Sequence, residues 1–161
     1  MKPKLVKNFL EPAVFKKVQD DIASSYFPWF YQDNVAYESR SEKKTFCFTH
    51  MFYRDNERSQ SFDFIKPILE QLNIKSLIRA KANFFPNQGK QYLHPMHSDF
   101  PYKHKGFLFS LNTTDGYTLF EDGTKIIGRE NQGMHFNPLV PHRSTTPTDA
   151  KRRINININY F

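Results

Sequence analysis

A chain of 161 residues is long enough to bury a full core as one domain, here expected over 1–161, and its single cysteine, Cys47, excludes an intrachain disulfide. The opening "MKPKLVKNFLEPAVF" lacks the apolar core of a signal peptide and no later run could span a membrane, so a cytoplasmic protein without membrane contact is expected. The net charge of +7 suits an anionic partner, yet the cations come in short groups ("SEKK", "YKHK", "KRR"), unlike the long arm or helix stripe of a dedicated nucleic-acid binder.

In chain order, "NFLEPAVFKKVQDDIASSYF" places Phe9, Leu10, Val14, Phe15, Val18, Ile22 and Phe27 at helical spacing, with Asp20 and Asp21 on the other face. "KTFCFTHMFYR" (44–54) is apolar or aromatic nearly throughout and predicts a central strand. A second helix is expected in "SQSFDFIKPILEQLNI", starting near Ser59 or Ser61, although Pro67 falls inside it. From Ser76 onward the pattern is strand and turn: "SLIRAKANFF", the turn "PNQGK", "GFLFSLN", a hairpin in "YTLFEDGTKII" with Asp122-Gly123 at its tip, "GMHFNPLVPHRS" and "RRINININYF". Short strands at such intervals predict a mainly β sandwich or barrel, and two N-terminal helices make it a jelly roll supported on one face. In the last segment Ile154, Ile156, Ile158 and Tyr160 alternate with Arg153, Asn155, Asn157 and Asn159. Period two puts the isoleucines on one face; if helices cover them, the polar row lines the barrel.

The chemistry-bearing cluster is "HPMHSDF". Two histidines and one carboxylate are a ligand set that suits Fe(II) while leaving coordination positions open. His97 and Asp99 supply one half, and a distant histidine must supply the other. His104 is too near Asp99 in sequence to come from an opposing strand and falls in the basic loop "YKHK". His135 lies between Met134 and Phe136, which define the apolar side of its strand, and so points away. His142 follows "NPLVP" and opens a strand, with Arg153 eleven residues on. Taken singly, His97 and Asp99 could be a turn pair, His142 a strand-edge residue and Arg153 a surface cation; their order and spacing carry the argument. His94 reads as a loop histidine near the site, and Cys47 as a buried core residue.

His97-Ser98-Asp99, His142 and Arg153 together resemble the signature of the Fe(II)/2-oxoglutarate-dependent dioxygenase superfamily, over a stretch from about Arg79 to Phe161. "FFPNQGKQYLHPMHSD", "LNTTDGYTLFEDGTKI" and "GMHFNPLVPHRS" resemble prolyl-hydroxylase segments, and the aromatic stretches further resemble bacteriophage-encoded members of that group. The resemblance implies a double-stranded β-helix with His97, Asp99 and His142 as iron ligands and Arg153 pairing the distal carboxylate of 2-oxoglutarate. It also implies Asn83 and Asn155 beside that cosubstrate. The chain departs from the pattern twice: Phe85 stands where the nucleic-acid dealkylases carry a tyrosine, and Ser110 where prolyl hydroxylases do.

The activity implied is hydroxylation driven by O₂ and 2-oxoglutarate, releasing succinate and CO₂, with ascorbate a candidate requirement. An amino-acid side chain of a peptide is the favoured substrate, and a nucleic-acid base or a small molecule the alternative. The segments between Asp33 and Lys44 and around 100–105 are expected to contact it. A non-catalytic jelly-roll binding module, or a cupin-like metal enzyme with no use for Arg153, would share many of these residues.

Overall fold

The computed structural model describes residues 2–35 and 45–161. In chain order its strands are β1 (Lys4–Val6), β2 (Phe30–Gln32), β3 (Cys47–Arg54), β4 (Glu57–Arg58), β5 (Leu77–Pro86), β6 (Lys105–Ser110), β7 (Tyr117–Phe120), β8 (Lys125–Ile127), β9 (Gln132–Phe136), β10 (His142–Ser144) and β11 (Arg152–Tyr160). Helix α1 (Pro12–Ala23) precedes β2, and α2 (Lys66–Leu72) follows a 3₁₀ turn at Phe62–Ile65. Most of the expected substrate-facing segment between Asp33 and Lys44 lies outside the described residues.

The expected second helix is therefore two pieces. Pro67 has no N–H to donate and its ring crowds the carbonyl four residues back, so it is tolerated only in the first turn of α2. The turn ahead of it winds more tightly, as a 3₁₀ helix. Strands β1, β2 and β4 have no counterpart in the sequence reading; they are two or three residues long, too short for an alternation to register.

Two antiparallel sheets make the jelly roll. The larger runs β1-β9-β6-β11-β5-β3-β2, with β4 attached to β3, and the smaller runs β10-β7-β8. Residues 92–99 extend the small sheet, because Leu93 bridges Thr145 and His97 bridges His142. β11 is central, with β5 on one edge and β6 on the other. Its isoleucines, 154, 156 and 158, are buried on the outer face in one cluster with Phe15, Val18 and Ile22 of α1 and with Ile65 and Ile68. Each isoleucine so buried contributes roughly 1.5–3 kcal/mol. The helices thus cover the apolar face, and the polar row of β11 turns toward the small sheet. A second, smaller cluster of Phe120, Met134 and Phe136 closes the space between the sheets.

Candidate active site

Three side chains named from sequence converge. One ligand atom each from His97, Asp99 and His142 lie within 4.8 Å of one another. The geometry follows from local pairing: His97 and His142 face each other across an antiparallel bridge, with N–H···O distances of 3.0 and 2.9 Å, and their rings sit 4.9 Å apart. Asp99 is pinned two residues on by its own N–H donating to the Pro138 carbonyl at 3.1 Å.

The imidazole tautomers are fixed by carbonyls, which can only accept. His97 Nδ1 donates to the Pro95 carbonyl at 3.2 Å and His142 Nδ1 to the Val140 carbonyl at 2.9 Å. Both rings therefore present a bare Nε2 lone pair, as a metal ligand requires. Burial, and then the neighbouring His142, lower the His97 pKa and keep that ring neutral. Burial alone would raise the Asp99 pKa, but the Arg79 guanidinium, the Asn159 and Asn157 amides and His142 overcome it and hold the acid at about 2. The neutral His97 imidazole, the Nε2 of His142 and the Asp99 carboxylate together fit a divalent cation.

A cavity of about 510 Å³ opens onto the three, lined also by Arg79, Lys81, Asn83, Phe85, Thr118, Met134, Phe136, Ser144 and Asn155. Asn83 and Asn155 are cross-strand partners, and Asn83 Nδ2 donates to Asn155 Oδ1 at 3.0 Å. That bond leaves the Asn155 amide hydrogens free to meet a ligand. Burial pulls the Lys81 pKa down to about 8. Beside β2 a wider hollow of about 930 Å³ shares Lys81 with this cavity.

Arg153 sits behind the cavity rather than on its wall. Only 3% exposed, it donates through Nη1 to the carbonyls of Tyr117 (2.9 Å) and Thr145 (3.2 Å) and through Nη2 to Thr118 Oγ1 (3.1 Å). Its Nε has no partner among the described residues, and no carboxylate there pairs with it. Burial lowers its pKa to about 10. A recess of about 10 Å³ beside the guanidinium is lined by Ser110 and shares Leu108, Thr118 and Met134 with the main cavity. A buried cation with an idle N–H and no counter-ion fits an incoming carboxylate. Gly116 makes room for it: a Cβ there would lie 2.8 Å from Arg153 Cδ.

The other histidines divide. His135 packs on Phe107 on the outer face, away from the site. His94 is fully buried, lies 4.9 Å from the Phe85 ring and shares a 2.7 Å hydrogen bond with Ser144 Oγ, so it backs the cavity wall. Burial, and then Arg153, push its pKa down to about 3. His104 does not project into solvent with its basic loop; it is buried against Asn159. Arg79, which donates to Asp99 Oδ1 at 2.8 Å, was missed by the sequence reading. Its signal is the register of β5, where Arg79, Lys81 and Asn83 alternate on the face that pairs with Asn159, Asn157 and Asn155.

No family model matches this sequence, and no curated protein matches it. Solved structures do. A prolyl hydroxylase from Trichoplax adhaerens, in complex with a hypoxia inducible factor oxygen degradation domain peptide fragment, superposes with a TM-score of 0.70 at 14% identity, over 99% of this chain and 83% of that one. The viral collagen prolyl hydroxylase of Paramecium Bursaria Chlorella virus-1, a 2-oxoglutarate complex, gives 0.59 at 11% identity over 99% and 94%. A Pseudomonas putida prolyl-4-hydroxylase gives 0.63 at 13% identity over 98% and 91%. At these identities the likeness establishes the fold, which is that of the 2-oxoglutarate–Fe(II) oxygenases.

Proposed function

We propose that this chain, built on the oxygenase jelly roll, is a single-domain Fe(II)- and 2-oxoglutarate-dependent dioxygenase that hydroxylates an amino-acid side chain in a peptide or protein. The observation that carries the reading is the convergence of His97, Asp99 and His142 within 4.8 Å in a cavity backed by Arg153, buried and without a carboxylate partner among the described residues. In its roles, the Nε2 atoms of His97 and His142 and the Asp99 carboxylate hold the iron. Arg153 offers its idle N–H and its charge to the distal carboxylate of the cosubstrate, with Thr118 between them and the cavity. Asn155 and Asn83 offer polar contacts along the same wall.

When bound, iron, 2-oxoglutarate and O₂ supply the oxidation: one oxygen atom enters succinate as CO₂ leaves, and the other enters a C–H bond of the substrate. The chain's own residues orient and shield. Phe85, Met134 and Phe136 exclude water from the walls, and the fixed tautomers of His97 and His142 keep both lone pairs directed into the site at no further cost in reorganisation. The likeness to three prolyl hydroxylases supports a peptide side chain as substrate.

The test is succinate release from 2-oxoglutarate with Fe(II), ascorbate and pools of proline-containing peptides. Wild type is expected to turn over and His97→Ala to lose at least 100-fold. Equal succinate from both proteins would refute the assignment.

A further inference from the structure

Asp99 is held by more donors than its charge requires. Arg79 Nη2 reaches Oδ1 at 2.8 Å, Asn159 Nδ2 reaches Oδ2 at 2.9 Å, and Asn157 Nδ2 lies 3.3 Å from Oδ2 and 3.5 Å from Oδ1. These donors come from paired central strands, with Arg79 and Asn159 directly opposite each other. Each oxygen thus has one close donor, Arg79 on Oδ1 and Asn159 on Oδ2, while Asn157 straddles the two at longer range.

The orientation of Asn159 is set from behind. His104 Nδ1 lies 2.7 Å from the Tyr102 carbonyl and must donate to it, while its Nε2 faces the Asn159 amide nitrogen, which can only donate, and so accepts. Asn159 Nδ2 lies 3.1 Å from that Nε2, and its two hydrogens divide between His104 and Asp99. The amide oxygens of Asn157 and Asn159 are left buried without partners among the described residues. An orphaned acceptor is costly, so these amides are turned by the groups they serve rather than by their own satisfaction.

We infer that His104, Asn159 and Arg79 are positioning residues for Asp99. They lock the rotation of its carboxylate so that it meets the metal in one fixed orientation, leaving the remaining coordination positions to cosubstrate and O₂. This rests on the metal-site reading above. His104 uses the same ring geometry as His97 and His142, with Nδ1 donating to the carbonyl two residues back, but spends its Nε2 on an amide instead of a cation.

The test uses Co(II) as probe, read by its visible spectrum and by competition with a chelator, alongside a thermal melt of the metal-free protein. His104→Phe is expected to weaken Co(II) binding 10- to 100-fold, in the range for lost outer-shell partners. His104→Gln, which can still accept from Asn159, is expected to recover most of it. Asn159→Leu, a second variant of similar volume, also removes the direct bond to Asp99 and should weaken binding at least as much as His104→Phe, and the double variant no further than Asn159→Leu, because His104 acts through Asn159. Wild-type affinity and spectrum in His104→Phe and Asn159→Leu would overturn the inference, as would additive losses in the double variant. A wild-type protein that ignores Co(II), or a His97→Ala variant that binds it equally well, would instead remove the metal site and the inference with it.

Discussion

Arg153→Met separates the cosubstrate role of this residue from any structural one. Its pKa falls from 12.5 to about 10 through burial, and at about 1.36 kcal/mol per unit the folded chain carries roughly 3 kcal/mol of desolvation cost in this one cation. Methionine removes that cost and leaves the Thr145 carbonyl without its donor, which returns about 1–3 kcal/mol, while the Tyr117 carbonyl still accepts from the Thr145 N–H at 3.1 Å. The two effects nearly cancel, so the ligand-free protein should melt within a few degrees of wild type. Binding should not survive so well. Loss of a charge-assisted carboxylate pair worth about 3 kcal/mol weakens 2-oxoglutarate roughly 100-fold. The assay is thermal unfolding of the Mn(II)-loaded protein, which does not turn over, with 2-oxoglutarate at one hundred times the wild-type Kd. Wild type gains about 2.7 kcal/mol and the variant about 0.4 kcal/mol. For a domain of this size those gains correspond to shifts of about 8 °C and about 1 °C. A variant that keeps the wild-type shift would refute the role of Arg153 and direct attention to Lys81, a cation on the cavity wall.

Gly116→Ala should displace the Arg153 side chain, because its Cβ would lie 2.8 Å from Cδ; we expect 2-oxoglutarate binding to weaken about tenfold for an overpacking cost of about 1–3 kcal/mol, and unchanged affinity in the same melt would contradict this. His94 has the opposite kind of signature, in pH. Its folded pKa of about 3 lies below the ordinary 6.5, so from pH 6.5 downward the unfolded chain binds a proton that the folded chain refuses. Its contribution is complete above pH 6.5 and falls by about 1.4 kcal/mol per unit toward pH 3. Urea midpoints at pH 7, 5.5 and 4.5 should decline less steeply in His94→Gln than in wild type, and parallel declines would show that His94 does not drive the slope.

Much of the site was legible because β11 is so regular. An alternation of isoleucine with arginine and asparagine states two faces, and the expectation that helices cover the apolar one holds, with Ile156 and Ile158 fully buried under them. The grouping of His97, Asp99 and His142 was also legible, since their order and spacing set them apart from chance pairs, and the fold brings the three side chains together. What sequence could not supply is pairing across strands. Arg79 reads as one more cation of a basic chain until the register sets it opposite Asn159 and beside Asp99. His104 reads as a loop residue until its ring is seen to accept from that same asparagine. Arg153 was assigned to the cavity, yet it lies one layer deeper, behind Thr118, because Gly116 lets it pass beneath the small sheet.

The central position of β11 has a bearing on how the chain avoids self-association. Residues 154–160 read "INININY", with no charge, glycine or proline, and strand-favouring residues alternate with amides able to form ladders. Such a heptapeptide, left open at an edge, is well suited to stacking with copies of itself into cross-β fibrils. In the native sheet both of its edges are capped by neighbours, β5 and β6, and the hazard is latent only while those neighbours are docked. Variants that loosen β5 or β6 would therefore be lost to precipitation before they are lost to chemistry.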